Sequence, residues 1–235
     1  MPNPSSRRVL ANLRGYSHDR TMGQLRAASR RELAGDHDGA TREFARIVER
    51  LRRLSEDRPA FATALSLLAE QLERNATRDL TAAASFHVER AEVATVIGDY
   101  QVLAESYCAL GAIEQRESRL GKAAEWWLKA VETSRAHDLE APLADALQAL
   151  GIYYRQCEEF EEARAATLEA MNIAKGLGNE AIIADTTFDL ALLEKDVGQR
   201  VKARANLEEA LGRYEVLGNA VGIRNVEEAL LDLGS

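Results

Sequence analysis

The residues of this chain that are able to do chemistry are few and scattered. Its four histidines stand at His18, His37, His87 and His137, and no pair of them shows the HExxH or CxxC spacing that brings zinc ligands together. Asp36-His37-Asp38 is the one place where metal-type donors crowd in sequence, and it falls where a polar turn between helices is expected. No metal site and no cofactor are therefore expected. Phosphate-cradling GxxxxGK[ST] and GxGxxG loops are absent, as is the GxSxG nucleophile elbow. Cys108 has no base at a fixed spacing and reads as a small buried or groove-lining thiol. Without a coherent acid, base or nucleophile set, no catalytic residue is assigned and no enzyme activity is expected.

The elements that must carry these residues are helices. Aromatic residues make up only 6% of the chain, while Ala, Leu, Glu and Arg dominate, a composition suited to helices packed through small side chains. The prolines lie at Pro2, Pro4, Pro59 and Pro142, the last two where helices are expected to start. A shift of forty residues aligns Leu110-Gly111 with Leu150-Gly151, Leu190-Ala191 and Leu230-Leu231. The same shift superposes Ala104, Ala144 and Ala184; Ala123, Ala163 and Ala203; and Ala130, Ala170 and Ala210. The turns Gly98-Asp99, Gly178-Asn179 and Gly218-Asn219 fall in the same register, and His137-Asp138 lies within one residue of it. Fixed self-similarity at this period marks a repeat array in which each unit buries its apolar face against its neighbours. Within a unit, two runs at helical spacing, such as Leu143, Leu147, Leu150 and Tyr154 followed by Ala163, Leu168, Ala170 and Ile173, predict two antiparallel helices with those residues inward. Gly111 and Gly151 fall in helix interiors, where glycine costs ~1 kcal/mol relative to alanine, so close approach of the second helix is expected there.

The formal net charge of −8 is unevenly spread, with 13 Arg against 8 Asp and Glu over residues 1–58 and an acidic remainder. An acidic body makes nucleic acid an improbable partner. No stretch approaches the ~18 apolar residues of a membrane span, and the arginine-bearing start Met1 to Arg14 lacks the apolar core of a secretory signal. A cytoplasmic location without membrane association is expected. Cys108 and Cys157 lie nine helical steps apart in register, ~13 Å along the axis, too far for a disulfide.

Leu150-Gly151, Tyr154, Ala163 and Ala170, with Trp127 at the second aromatic position, resemble the tetratricopeptide repeat, in its long forty-residue form similar to spindle-orientation adaptors, kinesin light chains and the sensor arms of bacterial regulators. The resemblance implies an all-α, right-handed superhelical solenoid of about five antiparallel helix pairs and a C-terminal capping helix. The expected layout is an arm at 1–20, one solenoid over 21–235 with repeats at 21–58, 59–98, 99–138, 139–178 and 179–218, and a capping helix at 219–233 with Glu227, Glu228 and Asp232 outward.

In this family the first helix of each pair lines the concave surface. There one column holds Glu105, Asp145 and Asp185, and another, ~15 Å along the helix, holds Gln115, Arg155 and Lys195. Cys108, Gln148, Phe188 and Asp189 lie between them. A solvated face would show the same letters. Trp127 belongs in the core; Trp126, ~100° round the helix, either covers a neighbouring helix or offers a convex aromatic anchor. The asparagine and lysine positions with which chaperone-binding members grip a carboxylate are not matched. The leading expectation is a scaffold that holds a protein or peptide with a basic segment in the groove. The alternatives are a regulatory sensor that binds a small molecule or signal peptide and acts through a partner, and an enzyme using the groove as a pocket.

Overall fold

A computed structural model describes residues 20–54, 58–74 and 79–234. Among them there are eleven α-helices and no strand: α1 (Arg20–Leu33), α2 (His37–Leu54), α3 (Arg58–Arg74), α4 (Leu80–Ile97), α5 (Tyr100–Arg116), α6 (Leu120–Ala136), α7 (Glu140–Gln156), α8 (Phe160–Leu177), α9 (Glu180–Asp196), α10 (Arg200–Leu217) and α11 (Ala220–Gly234). In chain order these make five helix pairs and a closing helix. Of the arm expected over residues 1–20, only Arg20, the first residue of α1, is described. Among the described residues no helix is long and apolar enough to cross a membrane.

The helices begin and end where the local chemistry dictates. Asp79, Asp99, Asn179 and Asn219 each accept a hydrogen bond from the backbone N–H three residues on, satisfying one of the donors a helix start leaves without an intrahelical partner. Gly98, Gly178 and Gly218 end their helices in the left-handed conformation. The turns inside the pairs need the same conformation at Ser118, Glu158 and Gly198, forty residues apart, and only the last is glycine.

Two compact units divide between Ile113 and Glu114, within α5. In the first, α1 packs on α2, α2 on α3 and α3 on α4, around Leu25, Phe44, Leu65 and Leu67. In the second, each helix from α6 to α11 packs on the next, and α7, α9 and α11 also touch in succession. The alanine columns are the reason these helices approach closely. All nine alanines aligned by the forty-residue shift are 0–1% exposed. Gly151 extends the same principle: a Cβ there would lie 2.4 Å from Thr167 Oγ1 of α8, so α7 and α8 meet at a point where no side chain fits.

Trp127 is buried, as expected. Leu168 is not: it is 41% exposed, because α8 buries the stripe Ala163, Ala166, Thr167, Ala170, Met171 and Ala174 and Leu168 lies ~100° round from Thr167. Neither Cys108 nor Cys157 forms a disulfide.

Candidate functional site

The second unit sets α7, α9 and α11 side by side, and side chains on their exposed edges are joined across the helix boundaries. Gln148 Nε2 of α7 donates to Asp189 Oδ2 of α9 at 3.5 Å, a long contact. Arg155 of α7 pairs with Asp196 of α9 at 2.8 Å, and Lys195 of α9 with Asp232 of α11 at 2.6 Å. The basic edge expected from Arg155 and Lys195 is thus neutralised by carboxylates of the next helix, and Lys195 holds the Asp232 carboxyl below its ordinary value.

The acidic side differs. Asp185 and Asp189, one helical turn apart on α9, stand together with Gln148 facing them from α7. Tyr214 Oη of α10 donates to Asp185 Oδ1 at 2.7 Å. Burial pushes the Asp189 carboxyl up to about 7; Gln148 and the Arg155 guanidinium lower it, and the neighbouring Asp185 charge raises it. Burial and the bond to Asp185 push the Tyr214 hydroxyl well above its ordinary value. A carboxylate held this way has one weak neutral donor at hydrogen-bond range, so it has unused capacity to accept from a cation.

Three departures from the repeat meet at this spot. Asp189 occupies the column of Ala109, Ala149 and Ala229; Tyr214 stands with Ala94, Ser134 and Ala174; Gly222 stands with Val102, Pro142 and Ile182. The last two are mechanically coupled: a Cβ at Gly222 would lie 2.6 Å from the Tyr214 ring, so the missing side chain on α11 is what admits the tyrosine that reaches Asp185. Conformity to the columns does not mark Tyr214 or Gly222; departure from them marks both.

The remaining expected groove residues differ in their setting. Phe188 is half-buried and packs against the α9–α11 core cluster. Asp145 is exposed on α7 and Gln115 half-buried at the end of α5. Glu105 and Cys108 belong to the first unit, where Glu105 is taken up by an ion pair with Arg90 of α4 at 2.7 Å. Arg90 is itself an exception, in the column of Ala130, Ala170 and Ala210, and its other partner is Ser106 at 3.3 Å. Around it the first unit holds a largely internal network: Arg74 bonds Glu32 and Glu70, and Glu73 meets the buried His87 at 3.2 Å. Trp126 is half-buried on α6, with the Lys129 ammonium 4.1 Å from its ring centroid. Among the described residues no group of three His, Cys, Asp or Glu side chains is placed to hold a metal ion.

No family model matches the chain, and no curated protein is similar to it in sequence. Solved structures are similar in fold. BtubC (BKLC) from P. vanneervenii superposes with a TM-score of 0.70 at 21% identity, over 92% of this chain and 90% of that one. The TPR-like repeats of a putative kinesin light chain from Podosopora anserina give 0.63 at 17% identity, over 86% and 98%. A Rap protein complexed with Competence and Sporulation Factor gives 0.63 at 10% identity, over 98% and 71%. Helix pairing, alanine columns and these superpositions together establish the fold as an all-α, tetratricopeptide-like helical repeat.

Proposed function

We propose that the chain is a protein-interaction module whose second unit binds a peptide or protein segment across α7, α9 and α11, with a lysine or arginine of that segment on Asp185 and Asp189. The observation that carries this reading is the coincidence of Asp189, Tyr214 and Gly222 as exceptions to the repeat at one place. A packing role would be met by alanine, as it is at Ala109, Ala149 and Ala229; a half-buried carboxylate with one long hydrogen bond costs stability unless a ligand supplies a cation. Gln148 and Phe188 flank the carboxylates with an amide and an apolar surface, while Arg155 and Lys195 hold the helices in register through Asp196 and Asp232. The fold neighbour bound to Competence and Sporulation Factor supports ligand binding as a use of this architecture.

The test is an array of extended peptides in which each lysine or arginine is paired with a glutamine counterpart. The parent chain should retain the cationic members preferentially, by ~10-fold or more for a charge pair worth ~1.4 kcal/mol. Asp189→Ala and Asp185→Asn, with helical content unchanged, should lose the preference. Equal retention of both peptide sets by the parent would overturn the reading.

A further inference from the structure

The first unit contains a cavity of about 310 Å³ that the groove does not use, between the C-terminal end of α2, the start of α3 and the second half of α4. Its apolar wall is Leu51, Phe61 and Val93, all buried, with the 68% exposed Val96 at the mouth. That volume is at the lower limit of a ligand site and suits one or two aliphatic side chains. The rim carries both signs of charge in equal number. Arg52 and Glu89 close one side through a two-pronged ion pair at 2.8 and 2.6 Å. Arg58 stands on α3 one turn before Phe61, and Glu92 on α4 one turn before Val96; neither forms an ion pair with another described residue.

The second unit carries the converse shape at the corner between α10 and α11. Residues 215–221, Glu-Val-Leu-Gly-Asn-Ala-Val, are exposed without interruption, Val216 at 89% and Val221 at 58%. Gly218 takes the left-handed conformation there and the Asn219 N–H donates to the Tyr214 carbonyl at 2.9 Å, so Leu217 and Val221 flank one tight turn. The repeat does not require these apolar residues. Position 216 corresponds to Ala136 and Gly176, position 221 to Ala141 and Ala181, and position 220, alanine here, to Glu140 and Glu180. All three changes make one exposed corner more apolar, a feature that marks a surface to be covered. Glu215 precedes the apolar residues and Arg224 follows Val221 by one turn, and neither has an ion pair with another described residue.

We propose that this corner of one molecule inserts into the cavity of a second copy of the chain. Val216 and Leu217 then lie against Leu51, Phe61 and Val93, Arg224 meets Glu92, and Glu215 meets Arg58. Size and charge together select this occupant. The cavity takes one or two aliphatic side chains, and the corner presents two side by side. The rim leaves one charge of each sign without an ion pair, and the corner carries one of each sign beside its valines. Val96 at the mouth shares the column of Val216, so the two valines that replace Ala136 and Gly176 in that column are the ones the contact covers. Because corner and cavity are different surfaces of one chain, the contact is heterologous: it joins a corner to a cavity and leaves the other of each open to a further copy. It uses neither Asp185 nor Asp189 and stands apart from the peptide reading.

Three measurements on the full-length chain, each with circular dichroism unchanged, test this. In a background of Cys108→Ser and Cys157→Ser, a Val96→Cys chain is mixed in equal amount with an isotope-labelled Val216→Cys chain and oxidised mildly. Every disulfide is then between molecules and requires Cα atoms within ~7 Å, so 96–216 links should outnumber 96–96 and 216–216 links together by ~10-fold. Random encounter would make the two classes equal. In sedimentation, the weight-average mass of the parent should rise between ~1 μM and ~1 mM, the range of a small, transient interface, while Val216→Asp with Val221→Asp keeps the monomer mass. Glu92→Arg alone and Arg224→Glu alone should each weaken association several-fold, and the two together in one chain should restore it. Equal numbers of the two link classes, a parent mass independent of concentration, or no recovery in the double reversal would overturn the proposal.

Discussion

Replacing Asp189 by alanine should make the protein more stable, and by an amount that depends on pH. The carboxyl titrates at about 7 in the folded chain against an ordinary value of 3.8. Between those values the folded state holds a proton that the unfolded state has released, so stability falls as pH rises from ~4 to ~7 and then levels off. Three pH units at 1.36 kcal/mol each set an upper limit of ~4 kcal/mol on the penalty above pH 7. Water at the half-exposed edge and small movements of Gln148 screen part of it, leaving ~1–3 kcal/mol. The groups facing Asp189 are Asp185 from its own helix, Gln148 and Arg155 from α7, and Tyr214 from α10. Alanine matches the residue at the same column in three other repeats, so the replacement introduces no packing fault. Urea unfolding followed by circular dichroism should show Asp189→Ala more stable than the parent by ~1–3 kcal/mol at pH 8 and within ~0.5 kcal/mol of it at pH 4. A variant less stable at pH 8, or shifted equally at both pH values, would refute the account of Asp189 as a carboxylate held at a cost. The same protonation competes with a bound cation, so the lysine or arginine preference in the peptide array should be stronger at pH 8 than at pH 5.

Further outcomes follow from the backbone and packing. Gly151→Ala should lower stability by ~1–2 kcal/mol in thermal unfolding, because the Cβ meets Thr167 Oγ1 at 2.4 Å; a rise of ~1 kcal/mol, which helix propensity alone would give, would show the contact to be soft. Glu158→Gly should raise the melting temperature by ~2–4 °C, since glycine takes the positive φ of 62° at this turn without steric cost and its counterpart Gly198 already does so. Gly222→Ala should displace the Tyr214 ring, break its bond to Asp185, cost ~1–3 kcal/mol in urea unfolding and weaken the cationic preference; Tyr214→Phe, which keeps the ring, should lose only the bond, ~1 kcal/mol.

The alanine columns made the fold legible because close helix packing leaves a mark on every repeat: a position that admits only a methyl group shows the same letter forty residues later. Leu168 departs from the inward position its spacing predicts for the same reason. Where the buried stripe is built of Ala163, Ala166, Thr167 and Ala170, size no longer marks the inside, and the largest apolar residue in the segment is the one left facing solvent. The turns show a second limit. Ser118 and Glu158 adopt the conformation of Gly198, yet neither residue type signals it, so only the register connects the three. At the candidate site, the neighbours Asp185, Asp189, Gln148 and Phe188 follow from helical spacing, since one turn and one repeat are distances fixed by the backbone. What joins them does not follow. The pairings of Arg155 with Asp196 and Lys195 with Asp232 depend on how far one helix is shifted along the next, and a sequence column takes that shift to be zero. Tyr214 comes from a second helix and reaches Asp185 only because Gly222, on a third, leaves it room. Regularity in a repeat encodes architecture, which every unit must share. On the proposed reading recognition falls where the columns break, and two of those breaks occur together for a steric reason, since the Tyr214 ring fits only beside a residue without a side chain at 222.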